Sequence, residues 1–165
     1  MTNLEQNQII ADLARDVVEQ MAPQELPLFR ATSVAYFKSP GKAFKTSKDK
    51  DDMLGFGVGE AVVMITPSIL VVMTHVVQFV TAEVQKSLAA ESAGLIDSCV
   101  KKMFKKFQSS EGGKAQDTPP PLTPEQLAHI RGLAYEEGMR LMHSDARARL
   151  LADAIVGSLV TSSSP

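Results

Sequence analysis

Apolar residues recur at helical spacing over residues 4–21 of the chain. Charged residues lie mostly on the other side of the same wheel, which is the pattern of an amphipathic helix with one buried face. Thr2 and Glu5, three residues apart, predict a capping box at the helix start. Pro23 and Pro27 predict its end. The recurring apolar positions are Ile9, Ile10, Leu13, Val17 and Met21.

The next segment changes character, because residues 31–37 are rich in β-branched and aromatic side chains. This composition predicts a short strand, and residues 61–65 are the candidate for a second strand that pairs with it. Between the two, residues 38–52 carry five lysines and three aspartates around Ser39-Pro40-Gly41. We expect a solvated loop there, since such charge runs are more often wet surface than an anion site.

Residues 61–79 carry no formal charge. About twenty apolar residues suffice to cross a bilayer core, so hydropathy alone indicates a transmembrane helix. Thr66 and Pro67, however, are typical of a helix start, and beginning the helix there shortens the apolar run. Polar side chains then follow one edge of the helix, which a lipid-facing helix has no reason to carry. This polar edge, the candidate helix-contact stripe, comprises Thr74, His75, Gln78, Thr81 and Gln85.

We therefore expect residues 61–79 to contain a buried core helix. A membrane span is the alternative. A third interpretation keeps both observations: the helix is buried in the soluble form and inserts into lipid, or oligomerises, on activation.

Beyond Gln85, apolar residues continue to recur at helical spacing as far as Phe107, which predicts further helix. Cys99 falls among its apolar positions and is predicted to be a small core residue. Four lysines lie at the end of this helix, where cations interact favourably with the helix dipole. Their second interpretation is a surface that binds anionic lipid or another anion. The candidate surface comprises Lys101, Lys102, Lys105 and Lys106.

Residues 108–122 have the composition of a linker, with serines, glycines and three consecutive prolines. Thr123 and Gln126 then predict a capping box, with Pro124 at the first helical position. A second helix opens at Ser144-Asp145, so residues 123–161 predict a two-helix hairpin. A hairpin this small must pack on the rest of the chain, on a second copy or on a partner.

Together these patterns predict a mainly α fold, an irregular helical bundle with the short strand pair as its β component and a C-terminal hairpin. The expected organisation is a helical body over residues 1–107, a linker over 108–122, the hairpin over 123–161 and a disordered tail over 162–165.

Composition narrows the class of protein. The chain has 165 residues, 44% of them hydrophobic, which is enough for one ordinary core. A net charge of -2 argues against a polycationic nucleic-acid binder. A single cysteine excludes an intrachain disulfide and fits a reducing compartment. The polar first residues lack the basic and apolar regions of a secretory signal, so we expect a cytoplasmic protein, with membrane association as the alternative.

No motif in the sequence assembles catalytic chemistry. The three histidines have no metal-ligand spacing, and we predict no metal site, no cofactor and no catalytic residue. Arg147 and Arg149 begin the second hairpin helix, but Asp145 and Asp153 beside them oppose phosphate binding, so nucleic acid is not an expected partner.

The sequence therefore favours a non-catalytic adaptor that self-associates or binds a protein partner. The alternatives are a membrane-associated or membrane-inserting protein and an enzyme whose site the sequence does not reveal. In the first alternative, residues 61–79 contact lipid and the basic helix end over residues 101–106 lies at the headgroups of an anionic membrane. No small-molecule ligand can be inferred.

Overall fold

A computed structural model describes residues 2–40, 64–87, 89, 99–101 and 122–161. Within these ranges the chain is all α, with five long helices, one short 3-10 helix and no strand. A short 3-10 turn, Pro23–Glu25, joins the first two long helices, and residues 99–101 are also helical. The long helices are α1 (Asn3–Met21), α2 (Leu26–Lys38), α3 (Thr66–Ser87), α4 (Pro124–Met142) and α5 (Asp145–Thr161).

Helix α1 forms as the sequence predicts. The Thr2 hydroxyl accepts the Glu5 N–H at 3.3 Å, and the Glu5 carboxylate accepts the Thr2 N–H at 2.9 Å, which completes the capping box. The helix ends at Met21, just before Pro23. Its buried face consists of Ile10, Leu13, Ala14, Val17 and Val18.

The predicted strand over residues 31–37 is wrong, because these residues lie within α2. Pro27 occupies the first turn of α2, where a missing N–H costs nothing, so it starts this helix and is not a breaker of α1. Helical spacing places Phe29, Ser33 and Tyr36 on one buried face. That burial outweighs the strand preference of the individual residues, which is a weak and context-dependent tendency. Of the proposed partner strand, residues 64 and 65 are not strand, and residues 61–63 lie outside the described residues.

The C-terminal hairpin is confirmed as a pair of contacting helices, α4 and α5. Thr123 and Gln126 form the predicted capping box at the start of α4. At its end His143 adopts the left-handed conformation, with φ 50°. Gly138 lets the two helices approach, because a Cβ built there would lie 3.2 Å from the Cα of Ala148. The Arg131 guanidinium also bridges the helices by donating to Asp153 at 2.6 Å.

Helix α3 is central to the packing. It contacts α1, α2 and α4, while α5 packs on α1. Side chains from all five long helices meet in one hydrophobic cluster, so the hairpin shares its core with the first three helices. The division into body, linker and hairpin stays a prediction, and residues 108–121 and the tail over 162–165 lie outside the described residues.

Candidate functional site

The N-terminus of α3 is held by a buried carboxylate from the 3-10 turn. Glu25 is 6% exposed and accepts the N–H groups of Ile65 and Thr66, both at 2.9 Å. It also accepts the Thr66 hydroxyl at 2.5 Å. The first N–H groups of a helix lack partners within it, and a negative charge at this end is favoured by the dipole. Glu25 is therefore a helix cap supplied from a distant part of the sequence, and α3 begins at Thr66.

The apolar side of α3 is covered by the protein's own chain. Val72 and Val76 are fully buried, and Val71 is half-buried. Among the described helices, α3 is the one that is long and apolar enough to cross a bilayer by length and composition, a test that core helices of soluble proteins also pass. Half of its most apolar window is buried within the fold.

The helix-contact stripe divides between two neighbouring helices and solvent. Thr74 Oγ1 donates to the Leu70 carbonyl at 2.7 Å and accepts the Tyr36 hydroxyl of α2 at 3.1 Å. His75 Nδ1 lies 3.8 Å from Glu137 Oε2 of α4. Thr81 is half-buried and donates to the carbonyl of its own helix one turn back. The remaining two stripe residues, Gln78 and Gln85, are exposed.

Further along α3, polar and aromatic side chains continue the contact with α4. The His129 ring stacks on Phe79 with centroids 4.4 Å apart. The Gln126 amide donates to Glu83 at 3.4 Å, and Lys86 donates to the same carboxylate at 2.7 Å. These two hydrogen bonds lower the pKa of Glu83, and the bond from Lys86 has the larger effect. The bond from Gln126 and the stacking of His129 join α4 to α3, whereas the bond from Lys86 lies within α3.

Of the predicted anion surface, Lys101 is the one residue within the described part of the chain. Its ammonium donates to Glu5 of α1 at 2.7 Å. This bond, with those from Thr2, lowers the pKa of Glu5 to about 2. Lys101 thus holds a carboxylate of its own chain. Lys102, Lys105 and Lys106 lie outside the described residues, so their predicted role stays a prediction.

The outward side of α2 is apolar. Val34 is 62% exposed and Leu28 is 38% exposed. At the helical period these two residues fall on one side together with three smaller exposed residues. We call this set the α2 outer face; it comprises Pro27, Leu28, Ala31, Val34 and Ala35. The sequence pattern over residues 31–37 predicts a strand, so it does not predict this surface.

Two cations accompany the α2 outer face. Arg30 and Lys38 are both exposed, and the stretch Leu26–Lys38 contains no acidic residue. The nearest carboxylate in sequence, Glu25, is buried and occupied by α3. The face is therefore apolar with a positive border.

Histidine, cysteine, aspartate and glutamate side chains, the usual metal ligands, are dispersed over the described residues. No group of three or more histidine, cysteine, aspartate or glutamate side chains there is placed to hold a metal ion. Cys99 is half-buried and packs against the hydrophobic cluster, in the place that the sequence predicts.

Comparisons of the chain with protein-family models, curated proteins and solved structures find no significant match. Its function has to be inferred from its own residues.

Proposed function

We propose that this chain is a non-catalytic, cytoplasmic interaction module that binds a protein partner or a second copy through the α2 outer face. The observation that carries the proposal is the exposure of Leu28 and Val34 on a helix whose opposite side is already packed in the core. Surface helices of globular proteins ordinarily present polar residues to water. An apolar outward side on a helix marks a candidate contact surface.

The other helices sharpen the contrast. The exposed positions of α1 include Gln8, Arg15 and Glu19, and its exposed apolar residue, Leu4, 81% exposed, stands beside polar neighbours. On α5 the exposed Leu150, 58% exposed, has the charged neighbours Arg149 and Asp153 within one turn. The α2 outer face groups five apolar residues, and its charged neighbours within one turn, Arg30 and Lys38, are both cations, whereas Leu150 has a cation and a carboxylate beside it.

The test compares Val34→Glu with Leu150→Glu. Both replace an exposed apolar residue with a carboxylate, but only Val34 belongs to the α2 outer face. We expect the wild-type chain and Leu150→Glu to form the same oligomer, or to retain the same protein from cells that express the chain natively, and Val34→Glu to lose it. Light scattering after size exclusion reads the oligomer, and affinity purification reads the partner. A strictly monomeric wild-type chain that retains no protein contradicts the proposal.

A second candidate function, membrane association through α3, is favoured by one observation. The helix has 22 residues and an apolar window that meets the length for a membrane span. In this proposal α3 leaves its packed position and contacts lipid. Carbonate-washed membrane fractions and pelleting with anionic vesicles test it, and complete recovery of the protein in the soluble fraction contradicts it.

A further inference from the structure

Helix α2 carries apolar residues both on its buried side and on its exposed side. A helix that packs only against its own chain needs one apolar side. Phe29, Ser33 and Tyr36 face the core, and each is less than a tenth exposed. The uncharged polar side chain beside the α2 outer face, Thr32, is half-buried and donates to the Leu28 carbonyl of its own helix at 3.0 Å. Apart from the cations Arg30 and Lys38, water therefore meets mainly apolar groups on this side of the helix.

We propose that the α2 outer face binds a single amphipathic helix of a partner protein, whose apolar stripe is bordered by aspartate and glutamate. This inference rests on the proposed interaction function and adds the chemical class of the partner. It also excludes a second copy as the occupant.

The size of the face fits one helix. Helix α2 has 13 residues, and at a rise of about 1.5 Å per residue it is about 20 Å long. A single helix laid along it covers a stripe of this length. Ala31 and Ala35 lie one turn apart on the face and carry the smallest apolar side chains, so a neighbouring helix can approach to a normal packing distance of about 8–10 Å.

The charge of the face selects an acidic partner. Arg30 and Lys38 are the charged residues of α2, and both are exposed. Carboxylates beside the partner's apolar stripe would meet these cations across the contact. Complementary charge of this kind raises the rate of association and disfavours partners of the wrong sign.

A second copy of the chain fits the same face poorly. Two α2 helices packed against each other would bring two sets of cations together, with no carboxylate on either helix to offset them. Like charges that face each other across a contact disfavour the pairing of two α2 outer faces.

A lipid surface is a weaker fit than a helix. Helices that lie in a membrane interface insert large side chains such as Trp, Phe and Leu. The aromatic Tyr36 points into the fold, and Leu28 is more than half covered by its own chain. Three of the five residues of the face are alanine or proline, and these are too small to anchor a helix in lipid.

The experiment uses the full chain as bait for a yeast-displayed library. Each clone carries a helix as long as α2 on a small helical scaffold, with a fixed apolar stripe and with flanking positions randomised among Asp, Glu, Lys, Arg and Gln. We expect the enriched clones to carry Asp and Glu at the flanking positions. Binding should weaken by about tenfold or more with Val34→Glu, a loss of about 1.4 kcal/mol, and should be unchanged with Leu150→Glu.

The double variant Arg30→Glu/Lys38→Glu separates charge from shape, because it keeps all five apolar residues. We expect it to bind the acidic clones several-fold more weakly, and we expect added salt to weaken the wild-type complex but not the residual binding of the variant. Circular dichroism of each variant establishes that the helices are retained.

The outcomes distinguish this inference from the proposed function. Enrichment of basic or uncharged clones that still depend on Val34 overturns the acidic partner and leaves the interaction surface in place. Absence of any clone that depends on Val34 overturns the helical partner. Dimerisation, or pelleting with anionic vesicles, that is lost in Val34→Glu assigns the face to a second copy or to lipid and also overturns it.

Discussion

Glu25 and Thr66 stand 41 residues apart in sequence and are joined by two hydrogen bonds. The Glu25 carboxylate accepts both the backbone N–H and the hydroxyl of Thr66 in a site where both residues are buried. A third bond, from the N–H of Ile65, reaches the other carboxylate oxygen at 2.9 Å. One side chain therefore fixes where α3 begins relative to the turn that precedes α2.

The first prediction concerns this cap. Glu25→Gln replaces one accepting oxygen with an NH2 group, which then faces a backbone N–H and leaves it without an acceptor. We expect the free energy of unfolding to fall by about 2 kcal/mol, the usual penalty for an unsatisfied buried donor that has lost a charged partner.

Chemical denaturation measures this difference, and Glu19→Gln is the matched control. Glu19 is exposed on α1, so removing its charge should change the stability by less than about 0.5 kcal/mol. Equal losses in the two variants would show that the buried bonds to α3 contribute nothing specific.

The second prediction concerns the close approach within the hairpin. A Cβ at position 138 would lie 3.2 Å from both the Cα and the Cβ of Ala148, and a backbone atom cannot move aside without shifting the helix. We expect Gly138→Ala to destabilise the protein by about 1 kcal/mol, since the overpacking of about 1–3 kcal/mol exceeds the gain in helix propensity.

Gly132→Ala is the control for this prediction, on the same helix. Nothing lies within 4 Å of a Cβ at Gly132, so the propensity gain of about 1 kcal/mol should appear alone as stabilisation. Thermal unfolding of the two variants should give shifts of opposite sign. A stabilised Gly138→Ala would mean that α4 and α5 separate freely.

The third prediction concerns pH. Lys101, together with Thr2, lowers the pKa of Glu5 to about 2 in the folded protein, against 4.5 in the unfolded chain. Because the folded pKa is lower, the ionised carboxylate stabilises the fold above about pH 4.5, and this contribution is lost as the pH falls toward 2. Lys101→Met should raise the pKa of Glu5 and flatten the dependence of stability on pH in this window.

Nuclear magnetic resonance of the glutamate side-chain carboxyl carbons follows the Glu5 titration directly. Lys86→Met is the matched control, because Lys86 binds Glu83 and not Glu5. A Glu5 titration that is identical in wild type and Lys101→Met would show that the ion pair does not form in solution.

The fourth prediction concerns Asp16, whose pKa is raised in the folded protein, opposite to that of Glu5. Partial burial, followed by the negative charges of Glu19 and Asp12, raises the pKa of Asp16. The folded protein thus binds this proton more tightly than the unfolded chain, so stability falls as the pH rises from the ordinary pKa of 3.8 to the folded pKa, and the loss persists above it. Asp16→Asn should be more stable than wild type at pH 7, and the difference should disappear in acid.

Denaturation at several pH values measures this effect, with Asp153→Asn for comparison. Asp153 is exposed and paired with Arg131, so its replacement offers no such gain at pH 7. A neutral or destabilising Asp16→Asn at pH 7 would contradict the assignment.

Features encoded over a few consecutive residues could be predicted from the sequence. The capping boxes of α1 and α4 are signals within four consecutive residues, and both form as expected. The apolar run after Pro67 folds as a helix with Val72 and Val76 buried. It could be predicted because a long helical period identifies a helix without knowledge of its neighbours.

Features that depend on a distant partner could not be predicted. The sequence predicts a strand over residues 31–37 of α2 because Tyr36 and its neighbours favour strands. The burial that decides the conformation of α2 comes from helices elsewhere in the chain. The bond from Glu25 to Thr66 leaves no local trace in the sequence. Likewise, the stripe on α3 has a visible period, but the period does not reveal that Thr74 meets α2 while His75 meets α4.

The packing of α5 on α1 has a consequence for biosynthesis. The ribosome makes α1 early and α5 late, yet the side of α1 that packs on α5 is covered only when both are present. A nascent chain therefore exposes apolar residues of its first helix until α5 has emerged from the ribosome. Premature termination in the hairpin would release a polypeptide with an exposed apolar surface, which chaperones and proteases recognise.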